Sequence, residues 1–222
     1  MTPEPELHEL AVRLSELSHR TARQVLAVLE QVAAGVVELD ALPELVAILT
    51  ELGATQAAAL TSSELAAELS AAAGRPVVLR EPVVNVQPGA VASAAVTILD
   101  GPAEQHADRL ARLARSAVAR AGQDAREDGI RRSELVEGWT RGVDSTSCQL
   151  CVWWWRGGRV WPKSHHMPRH PGCTCVQVPK LVRELVGVSR EAQDDSAERR
   201  ELDRAGRYLA AFGTDRRHTA SR

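Results

Sequence analysis

The sequence predicts a mainly α chain: an N-terminal helical bundle or stalk, followed by a small, loop-rich α+β module. Three observations predict it. Aliphatic residues recur at three- and four-residue steps through most of the first 130 positions, with no Phe, Trp or Tyr among them. All five tryptophans and all four cysteines crowd into residues 139–175. Charge divides along the same line. Residues 1–100 carry 5 Arg against 13 Asp/Glu, whereas residues 141–183 carry 7 Lys/Arg against one acid, Asp144.

The elements follow in order. Leu7, Leu10, Leu14, Leu17, Thr21, Val25, Val28 and Val32 draw one apolar stripe along a helix over 6–34, which Gly35 can close. Pro43 opens a short helix over 44–52 that Gly53 ends, and 54–73 reads as a third, Ala-rich helix ended by Gly74. An aliphatic face without aromatics suits helix-on-helix packing. The β-branched runs 77–79 and 83–86, bounded by Pro76, Pro82 and Pro88, predict extended segments or a short hairpin. Residues 89–99 fit helix or strand. Asp100-Gly101-Pro102 is a turn that starts a helix over 103–128, with Leu110, Leu113, Ala114, Ala117, Val118 and Ala121 on one face. Arg109, Arg112, Arg115, Arg120 and Arg126 are expected on its solvated side. A shorter helix is expected over 130–138, a compact loop-rich stretch over 140–179, and helical periodicity again over 180–212. The resulting division is 1–74 helical, 75–101 connector, 102–180 Cys/His module, and 181–222 charged helix with a flexible tail.

No stretch approaches the roughly 18–20 uninterrupted apolar residues of a membrane span. The acidic opening, Met-Thr-Pro-Glu-Pro-Glu, lacks the basic and apolar regions of a secretory signal. The expectation is a chain kept in a reducing cell interior, with no membrane partner, where four cysteines do not form structural disulfides.

The cysteines fall as Cys148-x2-Cys151 and Cys173-x-Cys175, with His165, His166 and His170 between the pairs. Zinc takes about four thiolate or imidazole ligands in a tetrahedron. A C-x2-C turn converges two thiolates, and a second pair after a loop can close the shell. Pro171-Gly172 fits a turn that presents His170 and Cys173 together. Cys148, Cys151, Cys173, Cys175 and His170 thus offer five donors for four places. Four thiolates, or three with one imidazole, both remain open. Four protein ligands leave no position for water, so the ion would be structural. The small module would then be a zinc knot, in which the metal replaces much of a missing core.

Trp153-Trp154-Trp155 cannot all face inward on one element. One or two are expected to pack around the knot with Trp139 and Trp161, and at least one to be exposed. Gly157-Gly158 reads as a hairpin turn, with Arg159-Val160-Trp161 returning.

Gly138-Trp139-Thr140-Arg141-Gly142-Val143-Asp144, then Cys148-x2-Cys151, a Gly turn, Val160-Trp161 and His170-Pro171-Gly172-Cys173-Thr174-Cys175 together resemble the phage head-morphogenesis domain, the MuF-like minor capsid family, in the form found in tailed phages of actinobacteria. The resemblance covers residues 102–180. It implies a non-enzymatic virion component present in few copies inside the head near the portal, with the host cytoplasm as its place of assembly. Its implied partners are portal and capsid proteins, with contact to packaged DNA and homo-oligomerisation as further possibilities. The family's Cys/His motif maps onto Cys148, Cys151, His170, Cys173 and Cys175. The three tryptophans after Cys151 depart from the more usual Ala, Met or Leu filling.

Two other readings compete. A nucleic-acid-binding zinc module would use the basic segment, with Arg156, Arg159, Lys163 and Arg169, and stack bases on Trp. An HNH-type nuclease would use His165 or His166 as a base, but after His170 only His218 remains, and no Asn follows Asn85. No phosphate-cradling Gly loop and no nucleophile elbow is present.

Overall fold

The computed structural model describes residues 5–143 and 147–182. Among these the chain is mainly helical, with five α-helices and a small three-stranded antiparallel sheet, as the composition predicts. Helix α1 (Pro5–Ala33) buries Leu10, Leu14, Leu17 and Val25, the stripe expected from their spacing. Gly35 closes it in the left-handed region, where Val36 N–H bonds back to the Gln31 carbonyl at 2.9 Å.

Helix α2 (Leu42–Ala73) corrects the expectation of two helices. Gly53 does not end a helix; it sits inside one. A Cβ there would lie 2.3 Å from Thr21 Oγ1 and 3.0 Å from Val118 Cγ2. Gly53 therefore marks a close approach of α2 to α1 and to the helix that carries Val118, and packing outweighs its roughly 1 kcal/mol helix penalty. Gly122 plays the reciprocal part, since its Cβ would lie 2.8 Å from Leu14 Cδ1. By length and composition residues 39–73 match a membrane span. Yet Val46, Ala54, Ala57, Ala58, Leu65 and Leu69 are fully buried against neighbouring helices, so that apolar side serves the helical core.

Residues 75–87 form no hairpin. They run as an extended strap without a strand partner, Val77 and Leu79 packed against the cluster that holds Leu65, Leu69 and Trp139, and Val86 against the cluster that holds Val46 and Val91. The strap thus leads back along α2. Pro76 and Pro82 remove two of its backbone donors, which disfavours ladder pairing. The ambiguous stretch after it is helix α3 (Pro88–Leu99).

Helix α4 (His106–Arg132) runs past its expected end, and no separate helix fills 130–138. Instead Val136–Arg141 forms β1, the central strand of the sheet. It pairs antiparallel with β2 (Trp161–Pro162) on one side and β3 (Gln177–Leu181) on the other. Trp139 faces Trp161, and a Cβ at Gly138 would lie 2.4 Å from the Trp161 carbonyl oxygen. Only glycine permits that strand approach. Arg126 also departs from expectation. It is fully buried, with Nε donating to the Gln177 carbonyl at 2.6 Å and its Nη2 held by both Glu68 carboxylate oxygens at 2.9 and 2.7 Å. The charged helix and tail expected over 181–222 lie, beyond Val182, outside the described residues.

Sheet and bundle share one core of Leu65, Leu69, Ile130, Val136, Trp139 and Met167. If Gly53 marks a close backbone approach, Gly53→Val lowers unfolding free energy by about 1–3 kcal/mol through overpacking. Gly89→Ala, whose added Cβ meets nothing within 4 Å, leaves stability unchanged or slightly raised. Urea denaturation followed by far-UV circular dichroism measures both.

Candidate metal centre

The first thiol pair is built by a helix start. Cys148 has extended backbone and caps the short helix α5 (Gln149–Trp155), its Sγ accepting from Cys151 N–H at 3.5 Å. The C-x2-C spacing therefore places the two sulfurs at the N-cap and third helical position, on the same side. Helix α5 ends abruptly because Arg156, Gly157 and Gly158 all adopt positive φ. Gly157-Gly158 is thus part of a helix stop and not the expected hairpin turn.

The second arm is an extended segment. Gly172 turns the chain at φ 76° and presents Cys173 and Cys175. The carbonyls of Cys173 and Cys175 both accept from Gln123 Nε2, at 2.9 and 2.8 Å. Just after them, Val176 inserts its side chain among Leu10, Leu14 and Val118, while its carbonyl accepts from Gly142 N–H at 2.9 Å.

These two arms bring all five donors together. Cys151 Sγ lies 3.4 Å from Cys173 Sγ and 3.3 Å from His170 Nε2, and Cys148 Sγ lies 3.1 Å from the same nitrogen. Cys148, Cys151 and His170 form one metal-competent triad and Cys151, Cys173 and Cys175 a second, each with its donor atoms within 4.8 Å of one another. All four cysteines are free thiols. A tetrahedral ion with metal–sulfur bonds of ~2.3 Å sets its sulfurs ~3.8 Å apart, close to the spacing here. The His170 ring is correctly poised. Its Nδ1 lies 3.1 Å from the Pro171 carbonyl, which can only accept, so Nδ1 carries the proton and Nε2 offers its lone pair to the cluster.

The electrostatics favour a cation. Three thiols this close cannot all ionise alone. Cys173 is held well below the ordinary thiol range, first by a hydrogen bond from Cys151. Cys151 is held well above it, first by its bond to Cys173, then by that to Cys175 and by burial. For Cys175 the bond with Cys151 pulls downward, but Cys173 and burial outweigh it and push the thiol up to about 12. A bound dication would resolve this conflict by stabilising the thiolates together. Arg141, itself buried, donates to Cys151 Sγ at 3.7 Å and to the Pro168 carbonyl, and offsets further negative charge.

The other histidines lie elsewhere. His165 stacks on Trp161 at 4.3 Å, and its carbonyl accepts from Trp139 Nε1 at 3.0 Å. His166 Nδ1 pairs with Glu127 at 2.6 Å. Arg169, expected on a free basic surface, is consumed by Asp124 and Glu127 of α4, and Lys163 donates to the Ser133 carbonyl. Trp154 lies under Arg141 and beside His170, whereas Trp153 is 58% exposed beneath the Arg156 guanidinium. Sequence reasoning missed Gln123 and Arg126, one helical turn apart. The available signal was the run of small residues Ala119, Ala121, Gly122 and Ala125 around them, which lets α4 be buried on several sides.

Cys151→Ser, which removes the donor common to both triads, abolishes retention of a divalent ion. Gln123→Leu, which touches no donor atom, weakens retention by about ten-fold by freeing two buried carbonyls of ~1 kcal/mol or more each. Competition with a chromophoric chelator on the full chain reads both, and retention weakens as pH falls because protons compete for the thiolates. Comparisons with protein-family models, curated proteins and solved structures find no match to this chain.

Proposed function

We propose that this chain is a non-enzymatic structural protein of the MuF-like head-morphogenesis kind. It is a minor capsid component that associates with the portal and capsid interior during head assembly and DNA packaging, and its C-terminal knot is built around a structural zinc ion. The observation that carries the reading is the convergence of Cys148, Cys151, Cys173 and His170, the residues of the motif on which the family resemblance rests. These four would hold the ion. Cys175 is the alternative fourth donor, since it also lies within 4.8 Å of Cys151 and Cys173, with Ser147 Oγ 3.9 Å from its sulfur. Zinc would supply a cross-link between α5 and the extended arm. With four protein ligands it keeps no position for a reactive water. Three thiolates and one imidazole leave a single net negative charge on the site, beside Arg141.

The nuclease reading is disfavoured by where the histidines go. A metal-dependent nuclease needs its base beside the ion, but His165, stacked on Trp161, and His166, paired with Glu127, belong to neither metal-competent triad. The nucleic-acid-binding reading keeps one supporting observation: Trp153 is exposed, with the guanidinium of Arg156 over its ring at 4.4 Å. With Arg169 and Lys163 engaged inside the protein, little basic surface in the knot remains for phosphates beyond Arg156 and Arg159.

The purified chain is expected to carry about one zinc per chain, retained in Cys175→Ser and lost in Cys148→Ser and His170→Ala. It co-purifies with co-expressed portal protein, and the zinc-free variants do not. Full zinc loading without association with portal or capsid protein would overturn the capsid assignment. Plasmid nicking that depends on magnesium and on His166 would reinstate the nuclease.

A further inference from the structure

A second site lies between the knot and the bundle. Ser15 and His19, one turn apart on α1, face Arg112 and Arg115, one turn apart on α4, across a pocket of about 270 Å³. Its remaining wall is the knot's turn, where Gly172 and Thr174 line it. No carboxylate lines the pocket. Neither guanidinium has an ion-pair or hydrogen-bond partner among the described residues, whereas the arginines nearer the end of α4, Arg126, Arg131 and Arg132, are all paired with acids. Ser116 Oγ, on the same wall, is a buried hydroxyl with no hydrogen-bond partner.

We infer that this pocket is a binding site for a phosphate-class oxyanion, held by Arg112 and Arg115 with hydroxyl donors from Ser15, Ser116 and Thr174. Two unpaired guanidiniums offer the planar donor geometry that matches phosphate oxygens. Hydroxyl groups and an imidazole complete a lining that donates from three directions. A pocket of this size, closed on one side by the Gly172 turn, suits free phosphate or the terminal phosphate of a larger molecule better than a continuous strand. Because the third wall lies between His170 and Cys175, the anion site is assembled only when both arms of the knot are in place. The inference stands on these residues and not on the capsid assignment.

Titration calorimetry of the full chain with inorganic phosphate, at fixed ionic strength in chloride, is expected to give one saturable site. Arg112→Gln with Arg115→Gln weakens it about ten-fold or more, whereas Arg75→Gln with Arg80→Gln, an equal loss of charge on the strap, leaves it unchanged. The Lys versions of Arg112 and Arg115 keep charge and helicity and fall between, which separates lost binding from lost folding. A short oligonucleotide competes only when it bears a 5′-phosphate if the source is a terminal phosphate; if neither form competes, the ligand is the small free anion. Absence of saturable phosphate binding, or equal weakening by the strap variant, would overturn the site.

Discussion

Three alternate carbonyls, those of Cys173, Cys175 and Gln177, are held by two side chains of one helix, Gln123 and Arg126. The placement of the knot's second arm depends on this docking. In extended backbone, alternate carbonyls point the same way, and residues three apart on a helix share a face. The two periodicities meet here. The intervening Val176 carbonyl turns the other way and takes Gly142 N–H. The arm is thus hydrogen-bonded along both edges, by side chains on one and by strand backbone on the other. An orphaned buried carbonyl would cost ~1–3 kcal/mol, so the arm has a single favourable height on α4. That height sets where Cys173 meets Cys151.

Charge is arranged to the same end. Summed over residues 141–183, the knot is basic, yet much of that charge faces inward. Arg169 meets Asp124 and Glu127 on α4, and Arg141 lies against Cys151 beside Trp154. Arg126, pairing Glu68 of α2 while holding β3, ties the bundle to the sheet through a fully buried guanidinium. A buried pair of this kind is weak evidence for stability but strong evidence for register, since breaking one side leaves a charge without water.

The helical class and the Cys/His grouping were legible because each rests on a local rule. Apolar spacing gave the α1 stripe, and ligand chemistry singled out the five donors. The errors came from tertiary context. Gly53 reads as a helix end until Thr21 and Val118 are found pressing on it. Arg126 reads as solvent-facing because its partners, Glu68 and the Gln177 carbonyl, are 58 and 51 residues away. Residues 136–138 read as helix, and 140–141 as loop, because their strand identity comes from Trp161 and Gln177 pairing beside them. Spacing does not choose between His170 and Cys175, because each shares a metal-competent triad with Cys151.

The uneven distribution of aromatic rings has an optical consequence. Helices α1 to α4 contain no Trp, Tyr or Phe, and all five tryptophans lie in the sheet and knot or the loop between them. Among the described residues, far-ultraviolet ellipticity therefore follows mainly the bundle, while indole emission follows the sheet and knot. The two halves can be watched separately in one unlabelled sample, and any gap between the two melting curves measures directly how tightly one half holds the other.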